Sequence, residues 1–166
     1  MSATAISVRG IQKSFKDIEV LRGVDFDVQA GTMIRAQAEP LLMPQFSPIM
    51  MKWAWWAEDG SAVYYLSQPR DLRTLTLHRL EPATGEVTTV LSETGATRVE
   101  PNQWMTESPI VRVLADEVLW YSQRDGWGHL YRYDRRTGAL LGQVTSGQWA
   151  VRQILHVDEV ERVVCF

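Results

Sequence analysis

The sequence is poor in the residues that most often build metal and redox sites, with one cysteine, Cys165, and three histidines. A single cysteine excludes an internal disulfide framework and any metal site made of several cysteines. No run of five or more Lys or Arg residues occurs, and the net charge is -3. Although arginine greatly outnumbers lysine, the arginines are scattered, which argues against nucleic acid as a partner.

Long apolar runs are also missing. The N-terminal letters MSATAISVRG contain no apolar core of a signal peptide, and no apolar stretch reaches the roughly eighteen residues of a membrane-spanning helix. The chain as written is therefore predicted to have no membrane span and to stay in the cytoplasm.

Aromatic residues, by contrast, are abundant, with seven tryptophans, five tyrosines and four phenylalanines. With 45% hydrophobic and 22% charged residues, the composition is typical of a packed globular protein. Aromatic side chains favour the half-buried faces of β-sheets. The composition therefore predicts a β-rich fold.

Three segments differ in pattern. In residues 1–32, the letters VDFDVQ from Val24 to Gln29 alternate between apolar and polar residues. This predicts a strand with one buried and one solvent-exposed face, which ends at Gly31. Residues 33–51 hold three of the seven prolines and four of the six methionines without any period, and we interpret them as a connector. Residues 52–166 read as short strands separated by turn signals.

This last segment repeats. The stretches AEDGSAVYYLSQPRD, LADEVLWYSQRDGW and VDEVERVVCF each place an acidic turn before an apolar run, and the Thr-Gly turns at Gly85 and Gly138 lie 53 residues apart. Units of about 40 to 50 residues are typical of β-propeller blades. We predict an all-β fold, a partial β-propeller of two to three blades with an N-terminal β segment. A plain antiparallel meander in a sandwich is the alternative.

The stretch RDGWGHLYRYDRRTG predicts a hairpin, because Asp125-Gly126 supplies a tight-turn signal between two alternating runs. In the returning strand, a period of two places His129, Tyr131 and Tyr133 on one face, where aromatic side chains would pack between neighbouring blades. His129 is a candidate base or ligand. However, no second histidine, cysteine or acidic pair lies nearby at ligand spacing, so a histidine that anchors a turn by hydrogen bonding is the preferred interpretation.

The tryptophans of KWAWWAEDG admit two interpretations, a stacking platform for a sugar or base and a piece of core. We favour a core in which Trp53 and Trp55 share a strand face while Trp56 borders the turn. Trp104 lies in a polar connector and is the best candidate for an exposed aromatic residue. Trp149 is expected to cover the open side of the second repeat.

Cys165 lies in the apolar letters VVCF at the end of the sequence. A free cysteine in an apolar strand usually behaves as a small buried hydrophobic residue. We therefore expect Cys165 to be buried and not to be a reactive thiol.

The pattern from Trp53 onward resembles the N-terminal β-propeller domain of the dipeptidyl peptidase IV branch of the prolyl oligopeptidase family. The resemblance lies in WAEDGSAVYYLSQPRD, LHRLEPATGE, WYSQRDGWGHLYRYDRRTG and QVTSGQWAVRQILHVDEVERVVCF, and it covers about two thirds of the chain. It implies a two-part serine peptidase, in which the propeller restricts access and an α/β-hydrolase domain cleaves after a penultimate proline or alanine.

The chain departs from that family's catalytic pattern. The nucleophile motif G-x-S-x-G is absent, and Ser146 in VTSGQ lacks the flanking glycines. In that family, paired glutamates that hold the substrate amine belong to an earlier propeller section, so this role is not transferred to Glu58, Asp59 or Glu117. We therefore assign no catalytic, cofactor-binding or metal-binding residue, and the chain alone is predicted to be inactive.

Residues 6–32 resemble the start of an ATP-binding subunit of an ABC transporter, in which an aromatic residue at the place of Phe15 stacks on adenine. The phosphate-binding motif G-x-x-x-x-G-K-[ST] is absent, and the only lysines are Lys13, Lys16 and Lys52. Without this loop and its lysine, nucleotide binding should be negligible. Two truncated patterns that meet at about residues 32–45 suggest a fused reading frame.

Three functional hypotheses follow. The leading one is a non-catalytic fragment of a dipeptidyl-peptidase-IV-like propeller, with the parent enzyme's hydrolase domain as its partner. The alternatives are a remnant of an ABC transporter ATP-binding protein and a free-standing β-rich interaction module. Two or three blades would leave sheet edges unpaired, so the sequence also predicts self-association through open blade edges.

Overall fold

A computed structural model describes residues 4–15, 18–29, 31, 35–36, 51–101 and 108–166. Within these residues the fold is all-β, as predicted, with twelve strands and no helix. The strands are β1 (Thr4–Phe15), β2 (Ile18–Gln29), β3 (Ala54–Trp56), β4 (Val63–Ser67), β5 (Thr74–Leu80), β6 (Val87–Thr94), β7 (Val111–Val113), β8 (Glu117–Ser122), β9 (His129–Asp134), β10 (Leu140–Gln143), β11 (His156–Asp158) and β12 (Val163–Cys165).

The chain divides into two compact units, Met1–Arg35 and Ala36–Phe166. In the first unit, β1 and β2 form an antiparallel pair with several register shifts. The predicted strand from Val24 to Gln29 is part of β2. This strand ends at Gln29, just before the predicted stop at Gly31, so the prediction is confirmed for the backbone.

The second unit contains three antiparallel sheets. The first sheet consists of β3–β6, the second of β7–β10 and the third of β11 and β12. In the two larger sheets, strands that are consecutive in sequence are neighbours in space. This repeated four-stranded meander confirms the prediction of a partial propeller with two to three blades.

Glycine makes the last turn of each four-stranded sheet possible. Gly85 and Gly138 have φ values of 74° and 69°, a region that residues with a Cβ rarely adopt. Each glycine N–H donates to a carbonyl four residues earlier, Gly85 to Glu81 at 2.8 Å and Gly138 to Asp134 at 2.9 Å. The repeated Thr-Gly signal of the sequence therefore corresponds to a repeated turn.

Strand β8 shows how the core is divided, because it is buried on both faces. Val118 and Trp120 point into the core between the first and second sheets, while Leu119 and Tyr121 point into a core on the opposite face. The first core also contains the following buried residues: Trp53, Ala62, Tyr64, Leu66, Leu75, Leu77, Leu91, Val99, Val111, Tyr131 and Tyr133. The second core includes Ile110, Leu130, Val151 and Ile154, with Val157 and Val164 of the third sheet packed against it.

Most predictions for aromatic residues are confirmed. Tyr131 and Tyr133 are buried in the first core, between neighbouring sheets. Trp53 is buried there and Trp55 packs against it, whereas Trp56 is 61% exposed. The prediction for Trp104 falls outside the described residues.

The expectation that Cys165 is buried is wrong, because the residue is exposed. Strand β12 alternates, so that Val164 packs against the second core while Val163 and Cys165 lie on the other face. Nothing in the described chain covers that face. An apolar sequence context therefore did not ensure burial.

Candidate functional site

The first strands of the three sheets face a common cleft. Residues of β3, β7 and β11 and of the adjoining turns line a cavity of about 730 Å³ within the second unit. Its wall combines the aromatic side chains Trp55, Trp56 and Tyr64 with charged groups of both signs. In a propeller, the first strands of the blades surround the central channel, and this cleft has the corresponding place in the fold.

Acidic residues enter the cleft from the turn between β3 and β4. Glu58 and Asp59 both line it. The Asp59 carboxylate accepts a hydrogen bond from the Ser61 N–H at 2.9 Å. Hydrogen bonds from Ser61 lower the pKa of Asp59, so this carboxylate stays ionised in the open cleft.

Basic residues also line the cleft, and one of them is Arg112 of β7. Its guanidinium donates to the Val111 carbonyl at 2.8 Å and to the Ile154 carbonyl at 3.2 Å. Burial lowers the pKa of Arg112. Conversely, the carboxylate of Glu159, which follows β11, accepts a hydrogen bond from the Ala115 N–H at 2.9 Å. These contacts join the second sheet to the segment that leads through β11.

The predicted role of His129 as an anchor for a turn is confirmed. His129 is 2% exposed, and its Nε2 lies 2.9 Å from the Gly147 carbonyl, which can only accept. Nε2 must therefore donate, and Nδ1 accepts from the Thr145 hydroxyl at 3.1 Å. The same hydroxyl accepts from the Leu130 N–H at 3.0 Å. Both ring nitrogens are used, which leaves no lone pair for a metal or a substrate.

Trp149 completes this anchor. Its ring meets His129 edge-on, with ring centroids 5.0 Å apart, and stacks on Phe166 at 5.6 Å. Trp149 therefore packs against the first residue of β9 and remains 41% exposed. Its predicted place over the open side of the second repeat stays a prediction.

A serine–histidine pair lies on the outer face of the first sheet. Ser67 Oγ and His78 Nε2 are 2.7 Å apart. Burial lowers the pKa of His78, so its neutral form can accept the serine proton. However, the buried Nδ1 of His78 has no hydrogen-bond partner among the described residues. A nucleophile–base pair normally needs a third group that orients the base, and the described part of the chain supplies none to this pair.

A charged junction connects the first and second sheets at Glu93 of β6. Its carboxylate accepts from Trp120 Nε1 at 2.6 Å and from Ser122 Oγ at 2.5 Å, both in β8. Arg124 adds an ion pair at 3.1 Å. Glu93 therefore serves as the common acceptor for three donors of the neighbouring sheet.

Arg124 extends this junction to β9. Its guanidinium lies 4.4 Å from the centre of the Tyr131 ring and donates to the Tyr133 hydroxyl. Burial acts to lower the pKa of Arg124, but the hydrogen bond with Tyr133 and the charge of Glu93 outweigh it and raise the pKa. Burial, together with the hydrogen bond to Asp125, raises the pKa of Tyr131.

This junction was not predicted from the sequence. A signal was present, because β6 buries Leu91 and a period of two places Glu93 on the same face. An acidic residue at a core-facing position needs a partner inside the protein. Glu117, which was named from the sequence together with Glu58 and Asp59, forms ion pairs with Arg132 at 3.4 Å and Arg162 at 2.9 Å.

The described residues contain no group of three or more His, Cys, Asp or Glu side chains that could hold a metal ion. Over the same part of the chain, no helix is long and apolar enough to cross a membrane.

Comparisons with known proteins give a consistent assignment. The family model described as the dipeptidyl peptidase IV N-terminal region matches residues 24–166. The match covers the whole region from Trp53 for which this resemblance was predicted. It also covers the connector and residues 24–32 of the segment that resembles a transporter subunit. The transporter resemblance itself stays a prediction.

A solved structure shows the same fold. The chain is similar to a crystal structure of Porphyromonas gingivalis dipeptidyl peptidase 4, with a TM-score of 0.52 and 15% sequence identity. The similarity covers 94% of this chain and 23% of that chain. The family match, which extends over most of the sequence, shows that the chain belongs to the dipeptidyl peptidase IV N-terminal region family.

Proposed function

We propose that this chain is a non-catalytic part of the propeller of a dipeptidyl-peptidase-IV-like serine peptidase, where it acts as scaffold and restricts access for substrates. The observation that carries this proposal is the family match over residues 24–166. In such an enzyme, peptide-bond cleavage would take place on a separate hydrolase domain, which is the partner we propose for this chain.

The geometry of the cleft supports a gating role. A cavity of about 730 Å³ between first strands has room for an extended stretch of peptide. Its mixed lining of Trp56, Glu58 and Arg112 suits contacts with both charged and apolar peptide side chains. The contacts of Arg112 and Glu159 with the backbone fix its walls, which lets the cleft select by size.

The absence of a complete catalytic group supports the non-catalytic role. Among the described residues, the serine–histidine contact at Ser67 has no acidic partner on His78 Nδ1. The buried histidine, His129, uses both ring nitrogens in hydrogen bonds. Neither histidine is therefore equipped to activate a serine for attack on a peptide.

Hydrolysis of Xaa-Pro chromogenic dipeptides by the purified chain tests this proposal. We expect no release of chromophore above the buffer rate. Ser67→Ala and, as a matched surface control, Ser92→Ala should behave like the unchanged chain. Turnover that disappears in Ser67→Ala and persists in Ser92→Ala would overturn the proposal, because it would show that the chain carries its own nucleophile.

A further inference from the structure

A second, smaller cavity adjoins the cleft where the chain enters the first strands of the three sheets. Its volume is about 160 Å³, and its lining includes Lys52 before β3, Ser108 before β7, Arg112 in β7 and Arg152 before β11. Three of these residues, Lys52, Ser108 and Arg112, also line the larger cleft. A ligand that lies in the cleft can therefore reach the smaller cavity with one side chain.

The charged residues that line this smaller cavity, which we call the basic cavity, are all of one sign. Lys52, Arg112 and Arg152 are cations, and none of the described residues in the lining is acidic. The acidic residues of this region line only the larger cleft: Glu58, Asp59 and Glu159. Cations that surround a small space without a neighbouring carboxylate create a positive potential there, which attracts an anion.

Arg112 is the partly buried cation of the basic cavity. Its guanidinium donates hydrogen bonds to the carbonyl groups of Val111 and Ile154, which hold it in place. Both acceptors are neutral, so the charge of Arg112 has no ion-pair partner among the described residues. A guanidinium has five N–H donors, and those that the two carbonyl groups do not use are available for a ligand. A carboxylate is the acceptor that fits such a donor group best.

Lys52 and Arg152 add two exposed cations to the same cavity. Within the described part of the chain, neither side chain forms an ion pair or a hydrogen bond. This differs from other arginines of the second unit, several of which pair with a carboxylate: Arg79, Arg98, Arg124, Arg132 and Arg162. The cations of the basic cavity thus converge on a space in which the described chain supplies no counter-ion.

We propose that the basic cavity binds the carboxylate of an acidic side chain, Asp or Glu, in a peptide that lies in the adjacent cleft. A volume of about 160 Å³ has room for one such side chain. Arg112 donates to the carboxylate, while Lys52 and Arg152 add attraction. Trp55 and Tyr64, which stack on each other in the cleft wall, give the peptide apolar contacts that a free anion lacks. The inference rests on the proposed role of the cleft in admitting peptides, and it names a side chain that the cleft prefers.

Two short peptides that differ in one charge test the inference. Both are acetylated at the N-terminus and amidated at the C-terminus, and the central residue is Glu in one and Gln in the other. Binding to the full chain is measured by NMR titration at low salt. We expect the Glu peptide to bind about tenfold more tightly than the Gln peptide. The shifted signals should include Arg112 and Ile154, and the preference should shrink as the salt concentration rises.

Substitutions of single cations identify the residues that carry this preference. Arg112→Gln should remove most of it. Because Arg112 also bonds to the Ile154 carbonyl, this variant can fail to fold, and the exposed Lys52→Gln and Arg152→Gln then carry the test. Each of these two should reduce the preference by about two- to fourfold. Arg135→Gln is the matched control, because Arg135 lines the larger cleft but not the basic cavity and should leave the preference intact.

Three results would overturn the inference. The first is equal binding of the two peptides, and the second is a preference that Arg135→Gln reduces as much as Arg152→Gln does. The third is inorganic phosphate that binds as tightly as the Glu peptide, which would indicate an adventitious ion only. Equal binding of both peptides would leave the admission of peptides by the cleft intact, whereas binding of neither peptide would contradict that role as well. The hydrolysis assay is independent of all these results, so this inference and the proposed function can fail separately.

Discussion

Glu93 is the residue at which a single substitution should most weaken the contact between the first two sheets. Glu93→Ala removes the acceptor for Trp120 Nε1, for the Ser122 hydroxyl and for Arg124. Trp120 and Ser122 are 0% and 1% exposed, so water replaces the lost acceptor poorly. Each buried donor without a partner costs about 1 to 3 kcal/mol. Arg124 is more exposed and adds less. We therefore expect a loss of about 3 kcal/mol in the free energy of unfolding.

Urea denaturation followed by circular dichroism measures this loss, and thermal melting provides an independent value. For a chain of this size, a loss of about 3 kcal/mol corresponds to a melting temperature lower by about 6 to 12 °C. Glu81→Ala is the matched control, since its carboxylate pairs with Arg79 at 3.3 Å and both side chains are about one third exposed. Such a surface pair contributes roughly 0 to 1 kcal/mol.

Glu93→Gln separates charge from shape. Glutamine keeps the volume of the side chain but replaces one acceptor oxygen with a donor, which opposes the donors of the second sheet. We expect it to lose at least half as much stability as Glu93→Ala. A stability of Glu93→Ala within about 1 kcal/mol of the unchanged chain would refute the reasoning, because it would mean that water satisfies the buried donors.

Two further predictions concern backbone approach and pH. Gly138→Ala should destabilise the chain more than Gly60→Ala, as measured by urea denaturation. Both glycines have φ near +70°, but a Cβ at Gly138 would lie 2.6 Å from the Val90 carbonyl oxygen, whereas no described atom lies within 4 Å of a Cβ at Gly60. Equal losses of stability in the two variants would contradict the close approach. Burial lowers the pKa of His78 below its unfolded value of 6.5, so its contribution to stability is present above pH 6.5 and is lost as the pH falls through the lower folded value. His78→Phe should therefore lose less stability than the unchanged chain when the pH falls from about 7.5 to 5.

The repeated sheets could be predicted because their signals are local. A period of two in the strands and a glycine at each final turn are written in consecutive residues, and the structure places both Gly85 and Gly138 in the expected turns. The aromatic residues Tyr131 and Tyr133 followed from the same period. These features depend on the backbone and on one sheet face, so a single stretch of sequence was enough to predict them.

The prediction for Cys165 failed because the burial of a strand's side chains depends on what packs against each of its faces. The letters VVCF are apolar, like those of β8, yet β8 is buried on both faces, whereas among the described residues β12 packs against a core on one face only. The sequence of a strand determines how its side chains alternate between the two faces, but it does not show what packs against each face.

The same distinction explains why the candidate site could not be derived from the repeat. The letters LSQ and YSQ end equivalent strands, so Ser67 and Ser122 occupy corresponding positions in the first and second sheets. Ser122 bonds to a carboxylate that comes from the preceding sheet, whereas Ser67 bonds to a histidine in its own sheet. The repeat thus determines where a hydroxyl lies, while a residue outside the repeated stretch determines what the hydroxyl contacts. Chemical roles in a propeller of this kind must therefore be assigned from contacts between sheets, one position at a time.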